Sequence, residues 1–174
     1  MTGSMEAKHL RIIHISLAIL IAGLLISGIT AFPLESELRW LASALDASPL
    51  SGLSRSTYLL PWLQHVLAAL TATNARYPFL AYGTDWLAFA HLVLAMAFIG
   101  PYRDPVRNRW LITFGLLACA GVIPLALIAG QVRGIPFGWR LIDCSFGIFG
   151  SIPLLICRRA IDAMEREAGA RPCP

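Results

Sequence analysis

Four long apolar runs, Ile12 to Phe32, Trp86 to Gly100, Trp110 to Ala129 and Leu141 to Ile156, govern what this chain can fold into. In hydrocarbon a backbone amide finds no water, so a run of this kind closes its hydrogen bonds within itself as a helix. Each run approaches the roughly 20 residues that cross about 30 Å of hydrocarbon at about 1.5 Å per residue. The second and fourth are short, and Thr84-Asp85 and Phe137 to Arg140 lengthen them. The expected fold class is therefore an all-α integral membrane protein with four transmembrane helices, spanning about residues 11–32, 84–100, 110–130 and 138–157. A soluble domain is excluded by 57% hydrophobic and 14% charged residues and a mean hydropathy of +0.67. Residues 5–174 read as one membrane domain, with Met1 to Ser4 a cloning remnant ahead of Met5.

Orientation follows from the fourteen Lys and Arg residues. Lys8 and Arg11 precede the first run, Arg103, Arg107 and Arg109 fill the loop after the second, and Arg158, Arg159, Arg166 and Arg171 follow the fourth. Arg39, Arg55, Arg76, Arg133 and Arg140 fall on the other side. Cytoplasmic loops are the richer in Lys and Arg, so both termini are expected in the cytoplasm, the tail 158–174 included, and the membrane is expected to be a bacterial inner membrane. Trp86 and Trp139 then mark the outer interface and Trp110 the inner one.

Residues 33–83 form a long external segment on this map. Leu34, Leu38, Leu41 and Leu45 recur at helical spacing, with Glu35, Glu37 and Asp46 on the wet side. Leu59, Leu63, Val66, Leu67 and Leu70 form a second apolar face opposite Gln64, His65 and Thr71. Residues 58–73 as a fifth span would carry the Arg103 to Arg109 loop outside, against the charge rule, so one or two amphipathic helices capping the bundle are expected instead.

Several function classes find no support. Cys119, Cys144, Cys157 and Cys173 include no C-x-x-C pair, and no His, Asp or Glu cluster has metal-ligand spacing. A net charge of +4 comes without a basic run interleaved with aromatics, so no nucleic-acid partner is expected. Ser145, His91 and Asp143 do not make a triad, since Ser145 lies about 200° around the helix from Asp143.

Polar atoms inside the spans carry the functional information, because ionisable groups in a bilayer are costly and usually face protein or a cavity. Ser16, Gly23, Ser27 and Thr30 share a stripe of the first span, where small residues admit close helix approach. His91 shares one with Ala88 and Ala95, Gly115, Cys119, Val122, Ala126 and Ala129 share another, and Asp143 aligns with Gly147 and Gly150. His91 and Asp143 are thus expected to point into the bundle, about 10 Å and 7 Å from the outer ends of their helices. Asp85, Gln131, Arg133 and Arg140, with Ser27 and Thr30, surround their mouth. The function expected from this set is small-ligand binding or transport through an outward-facing polar cavity. The competing account is a satisfied structural hydrogen bond, the usual state of buried polar groups. A third is an oligomerising subunit without a ligand, its Gly147 and Gly150 stripe serving a homo-oligomeric contact.

Arg11-Ile12-Ile13-His14 opening an apolar span, with His91 in another and Arg103 twelve residues beyond it, resembles the opening helices of bacterial b-type cytochromes. The resemblance implies haem b as a cofactor, with His14, His91 and His65 as the candidate ligands. No second histidine occurs at matching depth in the third or fourth span, and His14 lies toward the inner side while His91 lies toward the outer. Haem is accordingly the alternative to the ligand cavity.

Overall fold

The computed structural model describes residues 2–169; Met1 and the end of the tail, with Arg171 and Cys173, lie outside the described residues. Among the described residues there is no strand. The helices are α1 (Thr2–Ala31), α2 (Leu34–Ala47), α3 (Ser51–Ser56), α4 (Leu59–Arg76), α5 (Tyr82–Ala97), α6 (Ile99–Arg103), α7 (Arg109–Val132) and α8 (Phe137–Gly169), with a 3-10 turn at Pro78–Ala81 before α5. Four stretches are long and apolar enough to cross a membrane: Glu6–Ala31, Pro78–Arg103, Arg109–Val132 and Phe137–Glu167.

Each of these reaches beyond its expected limits at one end or both, and the second and fourth do so past residues that read as terminators. Gly100-Pro101 does not end the second span, because Pro101 falls in the first turn of α6, where its missing N–H costs no helical hydrogen bond. The Tyr102 amide donates to the Phe98 carbonyl at 3.2 Å, and the helical path runs on to Arg103. The fourth span likewise continues through Arg158 and Arg159, so the expected tail is helical as far as Gly169. Its extension is anchored by buried Ala160 and Ile161 and by Arg109. The guanidinium Nη1 of Arg109 donates to Glu165 Oε2 at 2.5 Å, and Nη2 lies 2.6 Å from Asp162 Oδ1 as an ion pair. Pro124 and Pro153 are accommodated inside α7 and α8.

The chain divides into two compact units. One comprises the residues up to Leu24 and those from Leu94 onward; the other is Leu25–Val93.

The first unit has a core of Ile13 and Leu17 from α1, Phe98 at the start of α6, Leu111 and Ile112 from α7, and Leu154, Cys157, Ala160 and Ile161 from α8. Cys157 Sγ donates to the Ile13 carbonyl at 3.6 Å. Helices gain little from apolar burial when lipid is equally apolar, so close packing has to hold them. Glycine supplies it between α7 and α8. A Cβ on Gly147 would lie 2.5 Å from the Cys119 carbonyl oxygen, and one on Gly115 would lie 2.9 Å from Leu154 and Phe98. The two expected small-residue stripes therefore interlock within one chain. Gly134, at φ +68°, turns the chain between them, and the Ile135 amide donates back to the Gly130 carbonyl at 2.9 Å.

In the second unit α2 packs on α4, with α3 beside both. Of the stripe expected at Ser16, Gly23, Ser27 and Thr30, Ser16 is buried in the first unit, while farther along α1 the buried small residue is Gly28. Ser27 is exposed and a Cβ on Gly23 would meet nothing within 4 Å, whereas Gly28 is buried, with Leu92, the Ala88 carbonyl and His91 at 2.9–3.2 Å from its Cβ position. Tyr58, at φ 59°, starts α4 in a left-handed conformation that few non-glycine residues adopt.

Candidate functional site

Glu35 lies in the first turn of α2, where a carboxylate complements the positive end of the helix dipole. Its side chain joins α2 to α4. Oε1 accepts from Thr71 Oγ1 at 2.8 Å and from Arg39 Nη2 at 2.8 Å, while Oε2 accepts from Asn74 Nδ2 at 2.9 Å. Thr71 and Asn74 are three apart on α4 and so present their side chains on one face. The bond from Asn74, then that from Thr71, and then Arg39 hold the Glu35 carboxyl below its ordinary value of 4.5, against a smaller opposing effect of burial.

Beside this carboxylate lies a recess of about 180 Å³. Phe32, Leu34, Leu70 and Leu80 give it apolar walls, and Glu35, Ser36, Thr73, Asn74 and Thr84 contribute polar groups. Among the described residues, the hydroxyls of Ser36, Thr73 and Thr84 have no hydrogen-bond partner. An ionised carboxylate accepts about four hydrogen bonds, so Glu35 retains acceptor capacity after its three. The recess thus offers one fixed anionic acceptor and three hydroxyls that either donate or accept.

The residues expected to line a ligand site fall in both units. His91, Asp85, Ser27 and Thr30 belong to Leu25–Val93; Asp143, Arg140, Gln131 and Arg133 belong to the other. His91 is half-buried, and its Nδ1 lies 2.8 Å from the carbonyl of Leu87, one turn back on α5. Thr30 Oγ1 donates to the Ser27 carbonyl at 3.4 Å. Asp85 lines a second recess of about 230 Å³ with Phe32, Tyr82, Trp86 and Phe89. Arg140 donates from Nη1 to the Leu127 carbonyl at 3.3 Å and places its guanidinium 5.3 Å from the Phe137 ring centre. Its Nε is buried without a partner. Asp143 makes no hydrogen bond within its unit among the described residues, and Gln131 and Arg133 are exposed.

The remaining histidines have separate attachments. His14 Nε2 lies 3.0 Å from the Tyr102 carbonyl, and the two rings are 4.7 Å apart. His65 is exposed and stacks on Trp62 at 5.6 Å. Haem ligation usually leaves one imidazole nitrogen on a carbonyl and the other bare for iron. His91 has that arrangement, His14 has its Nε2 on a carbonyl, and His65 lies on an exposed face. No group of three or more His, Cys, Asp or Glu suited to a metal occurs among the described residues.

The Glu35 recess was not legible in the sequence, where Glu35 appeared only as part of a wet helix face and Thr71 as its counterpart on α4. The signal available was the Thr71-x-x-Asn74 spacing, two donors on one helical face. No family model, curated protein or solved structure matches the chain. The four long apolar helices fit a membrane protein.

Proposed function

We propose that this protein is a membrane component that binds a small ligand in the recess between α2, α4 and the Pro78–Thr84 stretch, oriented by Glu35. The supporting observation is the convergence of a positioned carboxylate and three uncommitted hydroxyls on an apolar-walled recess. Binding sites generally combine a mostly apolar surface with a few placed polar groups. At about 180 Å³ the recess is smaller than the roughly 300–1,000 Å³ of drug-sized sites, so it suits a small molecule or the end of a longer one. The preferred ligand carries a hydrogen-bond donor facing Glu35. Glu35 takes the central place that the sequence assigned to His91 and Asp143.

Scanning fluorimetry of the detergent-purified protein with small amines, amides and alcohols tests this. A member of the panel raises the melting temperature of the wild type, and the Thr73→Val, Thr84→Val double variant loses that rise while melting normally alone. Neither threonine takes part in the Glu35 contacts, so the loss reads on binding. An unchanged rise in the double variant, or none in the wild type, overturns the proposal.

The membrane arrangement proposed alongside it keeps both termini in the cytoplasm and 33–83 outside, supported by the distribution of Lys and Arg. A role in transport would follow from ligand access on that outer side. The redox alternative rests on the bare Nε2 of His91. Protein purified with haem available is expected to show a featureless visible spectrum before and after dithionite. A Soret band that shifts on reduction would restore the haem reading.

A further inference from the structure

Arg11 on α1, Arg103 at the end of α6, and Arg158 and Arg159 on α8 are exposed, and among the described residues none of the four side chains makes an ion pair or a hydrogen bond. Two contacts bring them to one level of the first unit. Cys157 Sγ donates to the Ile13 carbonyl, and His14 Nε2 lies 3.0 Å from the Tyr102 carbonyl. Arg158 and Arg159 follow Cys157, Arg103 follows Tyr102, and Arg11 stands two residues before Ile13. The apolar runs stop at the same level, at Ile12 on α1, Gly100 on α6 and Ile156 on α8. Four residues to the hydrocarbon side of Arg11, Arg103 and Arg159 come Ile15, Ile99 and Leu155, which are 51%, 42% and 43% exposed. A spacing of four puts each arginine and its aliphatic neighbour on one helix face.

The excess of Lys and Arg on one side of a membrane accounts for the number of these arginines. It does not account for their lack of partners. In the second unit Arg39 pairs with Glu35, Arg55 pairs with Asp46, and Arg76 lies over the Tyr77 ring. In the first unit the acids of α8 are taken by other groups, Asp162 and Glu165 by Arg109 and Glu167 by His9. Four uncompensated guanidinium groups therefore stand at the margin of the apolar surface, the depth at which lipid phosphates lie, and the guanidinium fork matches the oxygens of a phosphate. We propose that this cluster holds the phosphate headgroups of anionic membrane lipids. The arginines supply the charge, and Ile15, Ile99 and Leu155 supply the surface that the upper acyl chain covers. That succession of charge and aliphatic side chain on three helices matches a lipid, whereas an acidic peptide or a free anion would use the arginines alone. The site depends neither on the Glu35 recess nor on which way the chain faces in the membrane.

Native mass spectrometry of the whole protein in mixed micelles tests the assignment, with phosphatidylglycerol competing against phosphatidylcholine of the same acyl chains. The wild type is expected to retain phosphatidylglycerol over phosphatidylcholine by about fivefold, the scale set by a cation at a membrane surface. In the wild type alone that preference should weaken as ammonium acetate is raised, because salt screens exposed charges. The Arg103→Gln, Arg159→Gln double variant should bring the ratio near one with helical content and elution volume unchanged, since neither side chain has a contact to lose. Arg55→Gln with Arg76→Gln removes the same charge from arginines that already have partners, and should leave the ratio as it is. No preference in the wild type, a preference indifferent to salt, an unchanged ratio in the first double variant or an equal loss in both overturns the proposal. In a further arm, millimolar inorganic phosphate is added to phosphatidylcholine micelles. Saturable phosphate binding that requires Arg103 and Arg159 and that phosphatidylglycerol fails to displace would assign the site to a free anion and overturn the lipid assignment.

Discussion

Glu35 shows how much one side chain organises when both its oxygens are used. Its partners on α4 lie 36 and 39 residues away, so two hydrogen bonds fix the meeting of two amphipathic helices, while a third, from Arg39, stays within α2. A carboxyl held below its ordinary value contributes stability that is fully present above the unfolded value, near 4.5, and is lost as pH falls through the lower folded value. Amide exchange in α2 is therefore expected to accelerate below about pH 4.5 in the wild type, while Glu35→Gln should exchange faster at neutral pH and lose that acid-dependent step. Equal pH profiles in the two proteins would show that Glu35 does not join the helices. The sequence placed Glu35 on a polar helix face without revealing its partners, since helical periodicity says which way a side chain points and nothing about which helix it meets. Gly28 illustrates the same limit: small residues at Gly23, Ser27 and Gly28 are all compatible with close approach, and only the packing of Ala88 and Leu92 selects the last.

At the scale of the helix, apolar runs were the readable signal and their ends were not. The spans and the two amphipathic segments lie where hydropathy and spacing put them, at α1, α5 with α6, α7 and α8, and at α2 and α4. Pro101 and the Arg158-Arg159 pair looked like terminators because loops favour such residues. Pro101 falls in a first turn, and the arginines stand on a helix whose opposite face is still buried at Ala160 and Ile161. The α7–α8 contact yields a paired test. Gly147→Ala puts a methyl against the Cys119 backbone and is expected to destabilise the folded protein by about 1–3 kcal/mol, the usual cost of overpacking. Gly121→Ala has open space and is expected to be neutral or stabilising by up to about 1 kcal/mol through helix propensity. Thermal unfolding in one detergent compares them, and a tolerated Gly147→Ala would refute the close contact.

For the molecule as a whole, the charge asymmetry makes an arrangement in the membrane testable. An impermeant maleimide applied to intact cells should label Leu53→Cys on α3, which is exposed, and should reach Val106→Cys, in the loop before α7, only after lysis. The opposite pattern would invert the proposed topology. The described chain holds two compact units, a division that hydropathy could not announce because α1 and α5 each run from one unit into the other. Helix face and depth together grouped His91 with Asp143 in the sequence, and that grouping crosses the division.

α8 has 33 residues and so measures about 50 Å, against about 30 Å of hydrocarbon. Counted from Phe137, twenty or so residues would be enough to cross that thickness, ending near Ile156, where the arginines begin. The rest continues along the same helix for about 18 Å, braced at its side by Arg109. This makes residues 157–169 a stiff helical rod, and in the membrane arrangement proposed above its ridge of charges would stand beyond the lipid headgroups, the first thing met by whatever approaches that face.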